Sequence, residues 1–319
     1  MGKQFAFNIK SSKVDHIVSV VDGPIFAPQN QYHVDVMKRN AREMSVLLTV
    51  SHVGVLSCGI LWTIFPAVNK LLGDDVQFTA YFPFDTSQSM IFSIIQIYMS
   101  ILIAVQAYGN VTMDCTIVAF YAQVRTQLQM LRFNLEHLAD FDETKIDTIR
   151  TQSNGSIVYK DVVNRERMQT RLVRCVKHYQ LIVWFCNEIE IIFGEAMVVM
   201  VLVTAWVICM TMYKIVKLSI LSVEFLSMVV YLLCMLSQFF IYCFYGTQVI
   251  VESEHINESL YSCDWLALTP RFRKQLLIMM QYCTRPLAPR TAYIIPMSLE
   301  TYISVLRFSY TLFTFLNRK

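Results

Sequence analysis

Residues 225–251 read FLSMVVYLLCMLSQFFIYCFYGTQVIV, a stretch without a single Asp, Glu, Lys or Arg. The same absence of charge runs from Met44 to Asn69, from Thr86 to Met113 and from Ala196 to Tyr213. A bilayer core of ~30 Å is crossed by about 20 apolar residues of helix, so each run can cross or nearly cross it. A helix on the surface of a soluble domain keeps one polar face toward water, and these runs stay apolar on all faces. They predict an integral, multi-pass membrane protein of the all-α class.

Composition agrees. Of 319 residues, 55% are hydrophobic and only 16% charged, against about a quarter charged in soluble domains. A net charge of +3 is too small to argue for nucleic acid, and no nucleic-acid partner is expected. The nine cysteines form no disulfide framework; Cys58, Cys115, Cys209, Cys234 and Cys243 lie in or beside apolar runs and read as small packing side chains. Residues 1–43 are polar and mixed in charge, without the apolar core of a signal peptide.

Five membrane-spanning helices follow from the pattern. A polar segment, 1–43, carries a helix in its second half. The first span covers Met44–Phe65, ending before Pro66, and a loop at 67–89 leads to the second, which begins near Gln88 and continues as an amphipathic extension to Leu138. A polar linker, Ala139–Asn164, turns at Ser153-Asn154-Gly155-Ser156; the region 139–190 holds this linker and the amphipathic start of the third helix near Arg165. The third and fourth spans fall within 191–251 (Ile191–Tyr213 and Val223–Val251). A polar loop and a short amphipathic helix, Pro270–Cys283, occupy 252–290, and the last span, in 291–319, runs from about Thr291 to Phe315.

Lys and Arg set the orientation, because they accumulate on the cytosolic side. With the N-terminus inside, twenty-one of the twenty-seven fall in internal segments, five outside, and Arg307 within the last span. The N-terminus is expected in the cytosol and, after five crossings, the C-terminus outside. A G-protein-coupled receptor has the opposite orientation and carries an Asn-Pro-x-x-Tyr run that is absent here.

Recognisable motifs cluster toward the C-terminus: Tyr242-Cys243-Phe244-Tyr245-Gly246, Tyr261-Ser262-Cys263-Asp264-Trp265, Arg273-Lys274-Gln275-Leu276-Leu277, Pro296-Met297-Ser298-Leu299-Glu300-Thr301 and Arg307-Phe308-Ser309-Tyr310-Thr311. In this order and spacing they resemble the signature of the insect odorant receptor family. Upstream, Gly23-Pro24-Ile25-Phe26-Ala27-Pro28, Tyr81-Phe82-Pro83-Phe84-Asp85 and Asp114 match weaker family features. Aligned in this way, the five spans correspond to the family's third to seventh, and the sequence is expected to be an incomplete member lacking the first two.

The resemblance implies an odorant-tuned subunit of a ligand-gated cation channel. Such a subunit assembles with a shared coreceptor in a heterotetramer, in the plasma membrane of olfactory sensory neurons, and binds small volatile ligands in the outer half of its bundle. Outer-half positions that would line the pocket are Val55, Cys58, Trp62 and Phe65 on the first span and Phe92, Ile95, Tyr98 and Met99 on the second; Phe225 and Met228 on the fourth are weaker candidates. Aromatic and Met side chains in membrane helices also simply pack, so no single position is decided by type alone.

The family's last helix lines the pore, which by alignment from Ser309-Tyr310 puts a constriction near Phe313, Leu316 and Asn317. Glu300 and Arg307 in that helix fit a water-lined path, although hydrogen bonding between packed helices would also explain its polar positions. The helix Pro270–Cys283 places Phe272, Leu276, Met279 and Met280 on one face, which with Trp265 would form a subunit anchor; a plain membrane-surface helix is the alternative.

Other chemistries find no support. No His-Glu-x-x-His or Cys-x-x-Cys pattern, Gly-rich phosphate loop or nucleophile elbow occurs, so no metal, cofactor or enzymatic activity is expected. A secondary transporter would favour broken helices and an inverted repeat. A gustatory receptor would carry Thr-Tyr-x-x-x-x-x-Gln-Phe in its last helix, where this chain has none.

Overall fold

The computed structural model describes residues 10–71, 89–138, 157–217, 223–263, 269–291 and 295–317. Its elements are α1 (Ser11–Val21), α2 (Gln31–Leu71), α3 (Ser89–Glu136), α4 (Ile157–Lys217), α5 (Val223–Ser262), α6 (Pro270–Cys283), the two-residue strands β1 (Arg290–Thr291) and β2 (Ile295–Pro296), and α7 (Leu299–Asn317). Four of them, α2 to α5, are long and apolar enough to cross a membrane. At ~1.5 Å per residue α4 is about 90 Å long, three times the thickness of a bilayer core. Only a third of it can therefore lie in lipid.

Burial divides the bundle in two. Near the expected outer side, large apolar residues point away from the protein, among them Val53, Leu56 and Ile60 on α2, Ile94, Ile97 and Ile101 on α3, Leu202 and Trp206 on α4, and Leu226 and Leu233 on α5. In water such a surface would drive association; in lipid it costs nothing, because the surroundings are equally apolar. Toward the other end the helices close on a continuous core that includes Ile117, Tyr121, Leu128, Leu131, Phe185, Phe193, Phe239, Tyr242 and Ile256, with Val14, Ile17 and Phe26 of the N-terminal segment packed into it.

Charges stitch α3 to its neighbours where the apolar runs end. Arg125 bonds Glu43 at 2.6 Å and lies over the Tyr245 ring at 5.6 Å, tying α2, α3 and α5 together. Further along, Arg132 pairs with Glu252 at 2.7 Å, Gln129 donates to the same carboxylate, and Ser259 donates to Glu136 at 2.7 Å. These bonds explain why α5 continues as helix through Ser262, where the sequence suggested a polar loop after Val251: its polar residues meet partners on α3.

Three other boundaries differ from the sequence reading. The first span passes through Pro66 to Leu71, since a membrane helix tolerates the one hydrogen bond that proline removes. The third helix is already formed at Ile157, and not only from near Arg165. The last helix starts at Leu299, because β1 and β2 pair antiparallel just before it, with Arg290 opposite Pro296. Ser298 caps α7 by accepting the Thr301 N–H at 3.3 Å, and the Thr301 hydroxyl donates to the Pro296 carbonyl at 2.6 Å. The expected turn at 153–156, most of the loop at 67–89 and the motif at 81–85 lie outside the described residues.

The entry to α7 rests directly on α5. A Cβ on Gly246 would collide with the Met297 carbonyl oxygen and lie 3.0–3.1 Å from its carbonyl carbon and Cβ. One residue on, the Thr247 hydroxyl accepts the Leu299 N–H at 2.9 Å. Changing Gly246→Ala should thus destabilise the protein by about 1–3 kcal/mol, the usual cost of overpacking a filled core. Thermal unfolding of the detergent-solubilised chain checks this: a lowered midpoint is expected, and an unchanged one would show that α7 does not depend on this contact.

Candidate functional site

In the outer half of the bundle, between Met90 and Met113 of α3, only Phe92 and Ile95 are buried. They lie on the face that turns toward α2 and α5. Val55 and Cys58 on α2 are half-buried, as is Met99 on α3. The Cys58 thiol neighbours Cys234 of α5, with Tyr231 close by, and Gln96 donates to the Thr63 carbonyl at 3.3 Å. Five of the eight expected pocket residues thus sit on inward or half-buried faces of α2 and α3. Tyr98 is a correction: at 58% exposure it points away from the rest of the chain, because it stands three residues beyond Ile95 and the helix has turned it past the interface. The side chains of Trp62 and Phe65 lie outside the described residues.

Below this apolar patch sits a polar layer. His52 packs its ring 4.7 Å from that of Tyr108; its Nδ1 contacts the Leu48 carbonyl at 2.8 Å and its Nε2 lies 3.3 Å from the Thr112 hydroxyl. Cys115 neighbours Ser51. Deeper still, Asp114 is buried and accepts hydrogen bonds from the Tyr242 hydroxyl at 2.7 Å and from the Gln238 amide. The half-buried residues of the outer half are thus an apolar cluster lying over a short polar layer.

Reading the sequence did not bring Tyr231, Cys234, Gln238 and Tyr242 into this group. Their signal was present: each is polar or polarisable in a run otherwise made of Leu, Val, Ile and Phe, and such residues usually face protein. Which of them meets Asp114 or Cys58 depends on how α5 is rotated, which only the packing fixes.

An adjacent face of α5 meets α7. Phe239 and Phe240 both place their rings 5.6 Å from Tyr302, and Gly246 and Thr247 hold the start of the helix as described. On α7 itself, Ser309 is buried and donates to the Ala205 carbonyl of α4 at 3.3 Å. Glu300, Ser304, Arg307, Thr311 and Thr314 are all exposed, and at about 100° per residue they fall within one narrow stripe. Phe313 stands one turn from Ser309, half-buried and nearly opposite that stripe. It therefore packs toward the bundle, a position that does not suit the constriction expected of it. The side chains of Leu316 and Asn317 lie outside the described residues.

The expected anchor is also corrected. Phe272, Leu276 and Met279 are buried in the chain's own core and Met280 packs against it, with Tyr282 edge-on to Tyr179 of α4 at 5.7 Å. A face already covered by α4 and α5 cannot dock a second subunit. What α6 presents outward is Leu277, Ile278 and Tyr282, each more than half exposed. Trp265 lies outside the described residues.

Comparison with known proteins places this architecture. The family model described as 7tm odorant receptor matches residues 5–310. The chain belongs to that family. Among individual relatives of this odorant receptor chain, Odorant receptor 43b of Drosophila melanogaster is 22% identical over 281 residues, covering 86% of the chain and 65% of that protein. Odorant receptor 46a, isoform B, of the same fly is 28% identical over 217 residues, 66% of the chain and 51% of the relative. Odorant receptor Or1 of Anopheles gambiae is 18% identical over 313 residues, or 96% and 74%. The chain thus spans less than two thirds of the first two relatives.

Two solved structures share the receptor's fold. The insect olfactory receptor OR5 from Machilis hrabei in complex with eugenol aligns with a TM-score of 0.82 at 16% identity, covering 99% of the chain and 77% of the other. A second structure of the same receptor gives 0.74 at 15% identity. The resemblance read from the C-terminal motifs is borne out, and the family match displaces the transporter and gustatory alternatives.

Truncating Asp114→Ala strands the Tyr242 hydroxyl and the Gln238 amide away from water, at about 1–3 kcal/mol for each unmet group. Asp114→Asn keeps an acceptor for Tyr242 and should be milder. Comparing unfolding midpoints of the two variants tests this; equal losses would mean that the network does not hold α3 to α5.

Proposed function

We propose that this chain is an odorant-tuned, ligand-gated cation-channel subunit that joins a coreceptor in a heterotetramer. It acts in the plasma membrane of olfactory sensory neurons, with its N-terminus in the cytosol and its C-terminus outside. The observation that carries the reading is the polar stripe Glu300-Ser304-Arg307-Thr311-Thr314 on α7. A helix of 19 residues is about 28 Å long, enough to cross a bilayer core as a fifth span. Acidic, basic and hydroxyl groups on the outward face of such a helix are costly in lipid and stable along water. A shared axial pore supplies that water.

The ligand site is the cluster of Val55, Cys58, Phe92, Ile95 and Met99, joined by Tyr231 and Cys234. Volatile odorants are small and mostly apolar, which suits a vestibule with few polar atoms. The solved relative is described in complex with eugenol, an apolar aromatic ring bearing a hydroxyl group, and an odorant of that kind could use the polar floor at His52 and Thr112. The partner face comprises Leu277, Ile278 and Tyr282 of α6.

Coupling runs through α5. Cys234, Gln238 and Tyr242 of that helix point toward the ligand site, while Phe239 and Phe240 beside them, and Gly246 and Thr247 one turn further on, rest against α7. A ligand that prefers one rotation or tilt of α5 biases the position of the pore helix by the difference in its affinity for the two arrangements.

Whole-cell current from cells expressing the chain with the insect coreceptor tests the reading, with the coreceptor alone as control. A volatile panel should evoke cation current that requires the chain, and Cys58→Trp should change which odorants act. Arg307→Gln should raise cation conductance about threefold, the effect of removing one charge ~6 Å from the ion path in water, while Phe313→Ala leaves conductance unchanged. Odorant-evoked current indifferent to Arg307 would place the stripe away from the pore.

A further inference from the structure

The polar stripe on α7 holds out groups of opposite charge at two levels. Glu300 and Arg307 are both exposed, and the ion pairs among the described residues involve neither side chain. Seven residues separate the two, about 10 Å along the axis, too far to pair with each other. Glu300 is second and Arg307 ninth of the nineteen residues of the helix. The carboxylate thus stands at one end of the span and the guanidinium near its middle.

At about 100° per residue, Ile303 and Tyr310 border the stripe on one side and Phe308 and Phe315 on the other; all four are exposed. These aliphatic and aromatic borders offer a guanidinium no counter-charge, which leaves the water in front of the stripe to solvate it. The hydroxyls nearby are already committed. Thr311 donates to the Arg307 carbonyl and Thr314 to the Tyr310 carbonyl, each at 2.9 Å. With their protons turned back to the helix, the two oxygens face the water as acceptors. The stripe therefore favours cations at its hydroxyl levels and repels them at one, that of Arg307.

From this arrangement we propose that Arg307 is a valence filter, which lets the assembled channel pass monovalent cations and holds back divalent ones such as Ca²⁺. The inference rests on the pore reading above and adds to it the class of ion that this subunit admits. Repulsion grows with the product of the two charges, so a divalent ion meets twice the barrier of a monovalent one. One unit charge ~6 Å from the ion path in water slows a monovalent cation about threefold and a divalent one about tenfold. Each copy of this chain in the assembly accordingly lowers the permeability ratio of Ca²⁺ to Na⁺ about threefold. Glu300 draws cations toward its own end of the helix, but from about 10 Å away it does not cancel the barrier at mid-span.

Reversal potentials of odorant-evoked current test the proposal, in cells expressing the full chain with the insect coreceptor while external Na⁺ is exchanged for Ca²⁺. Arg307→Gln should raise the ratio of Ca²⁺ to Na⁺ permeability about threefold, and Arg307→Lys, which keeps the charge, should return it to the parent value. Arg307→Cys toggles the charge within one protein: a cationic methanethiosulfonate reagent should bring the raised ratio back down, and a neutral one should not. A ratio unmoved by Arg307→Gln while odorant current persists overturns the proposal and leaves the channel reading standing. So does a rise that Arg307→Lys shares, since side-chain shape and not charge would then set it. Absence of any current that requires the chain overturns the channel reading and the filter together.

Discussion

The contact between the Met297 backbone and Gly246 governs how the C-terminal third is built. A side chain at 246 would push the segment before α7 off α5, and with it the Ser298 cap, the Thr247 bond to Leu299 and the packing of Tyr302 on Phe239 and Phe240. The pairing of β2 with β1 delivers the chain to that notch, and the buried Met297 side chain anchors it. From there Ser309 reaches α4, so α7 is held by two helices and leaves its polar stripe facing outward.

A division of labour along the bundle follows from where charge can be placed. In the outer half, helices meet over small and apolar groups, with Phe92 and Ile95 the buried exceptions on α3. Toward the cytosolic side proposed for the N-terminus, Arg125, Arg132, Glu43, Glu136 and Glu252 pair across α2, α3 and α5, and the core closes around them. Apolar surfaces in lipid adhere weakly, whereas hydrogen-bonded ion pairs around a packed core hold firmly. The outer half is accordingly the part that can yield to a ligand, and the paired region is the part that stays fixed.

The sequence made the helices legible where physical pattern is strongest. Long uncharged runs marked the four spans α2 to α5, and the Pro-Met-Ser-Leu-Glu-Thr run marked the family. It misled where tertiary contact overrides local signals: Pro66 does not end α2, and Glu252 to Ser262 stay helical because α3 supplies their partners. Faces were the least legible. The apolar side of Pro270–Cys283 was read correctly as one face, yet it covers the chain's own core, and sequence spacing cannot say which side of an amphipathic helix a neighbour will claim. Tyr98 and Phe313 illustrate the same point, each placed in the right helix but turned away from the role expected of it.

Whether α7 lines a pore can be seen directly in the structure of this chain assembled with the coreceptor in a lipid nanodisc. The account predicts α7 as the innermost helix of each subunit, with Ser304, Arg307, Thr311 and Thr314 facing a common axis and the exposed apolar residues of α2 and α3 in lipid. An assembly in which that stripe contacts lipid, or is buried against a neighbouring subunit away from any axial channel, would contradict it.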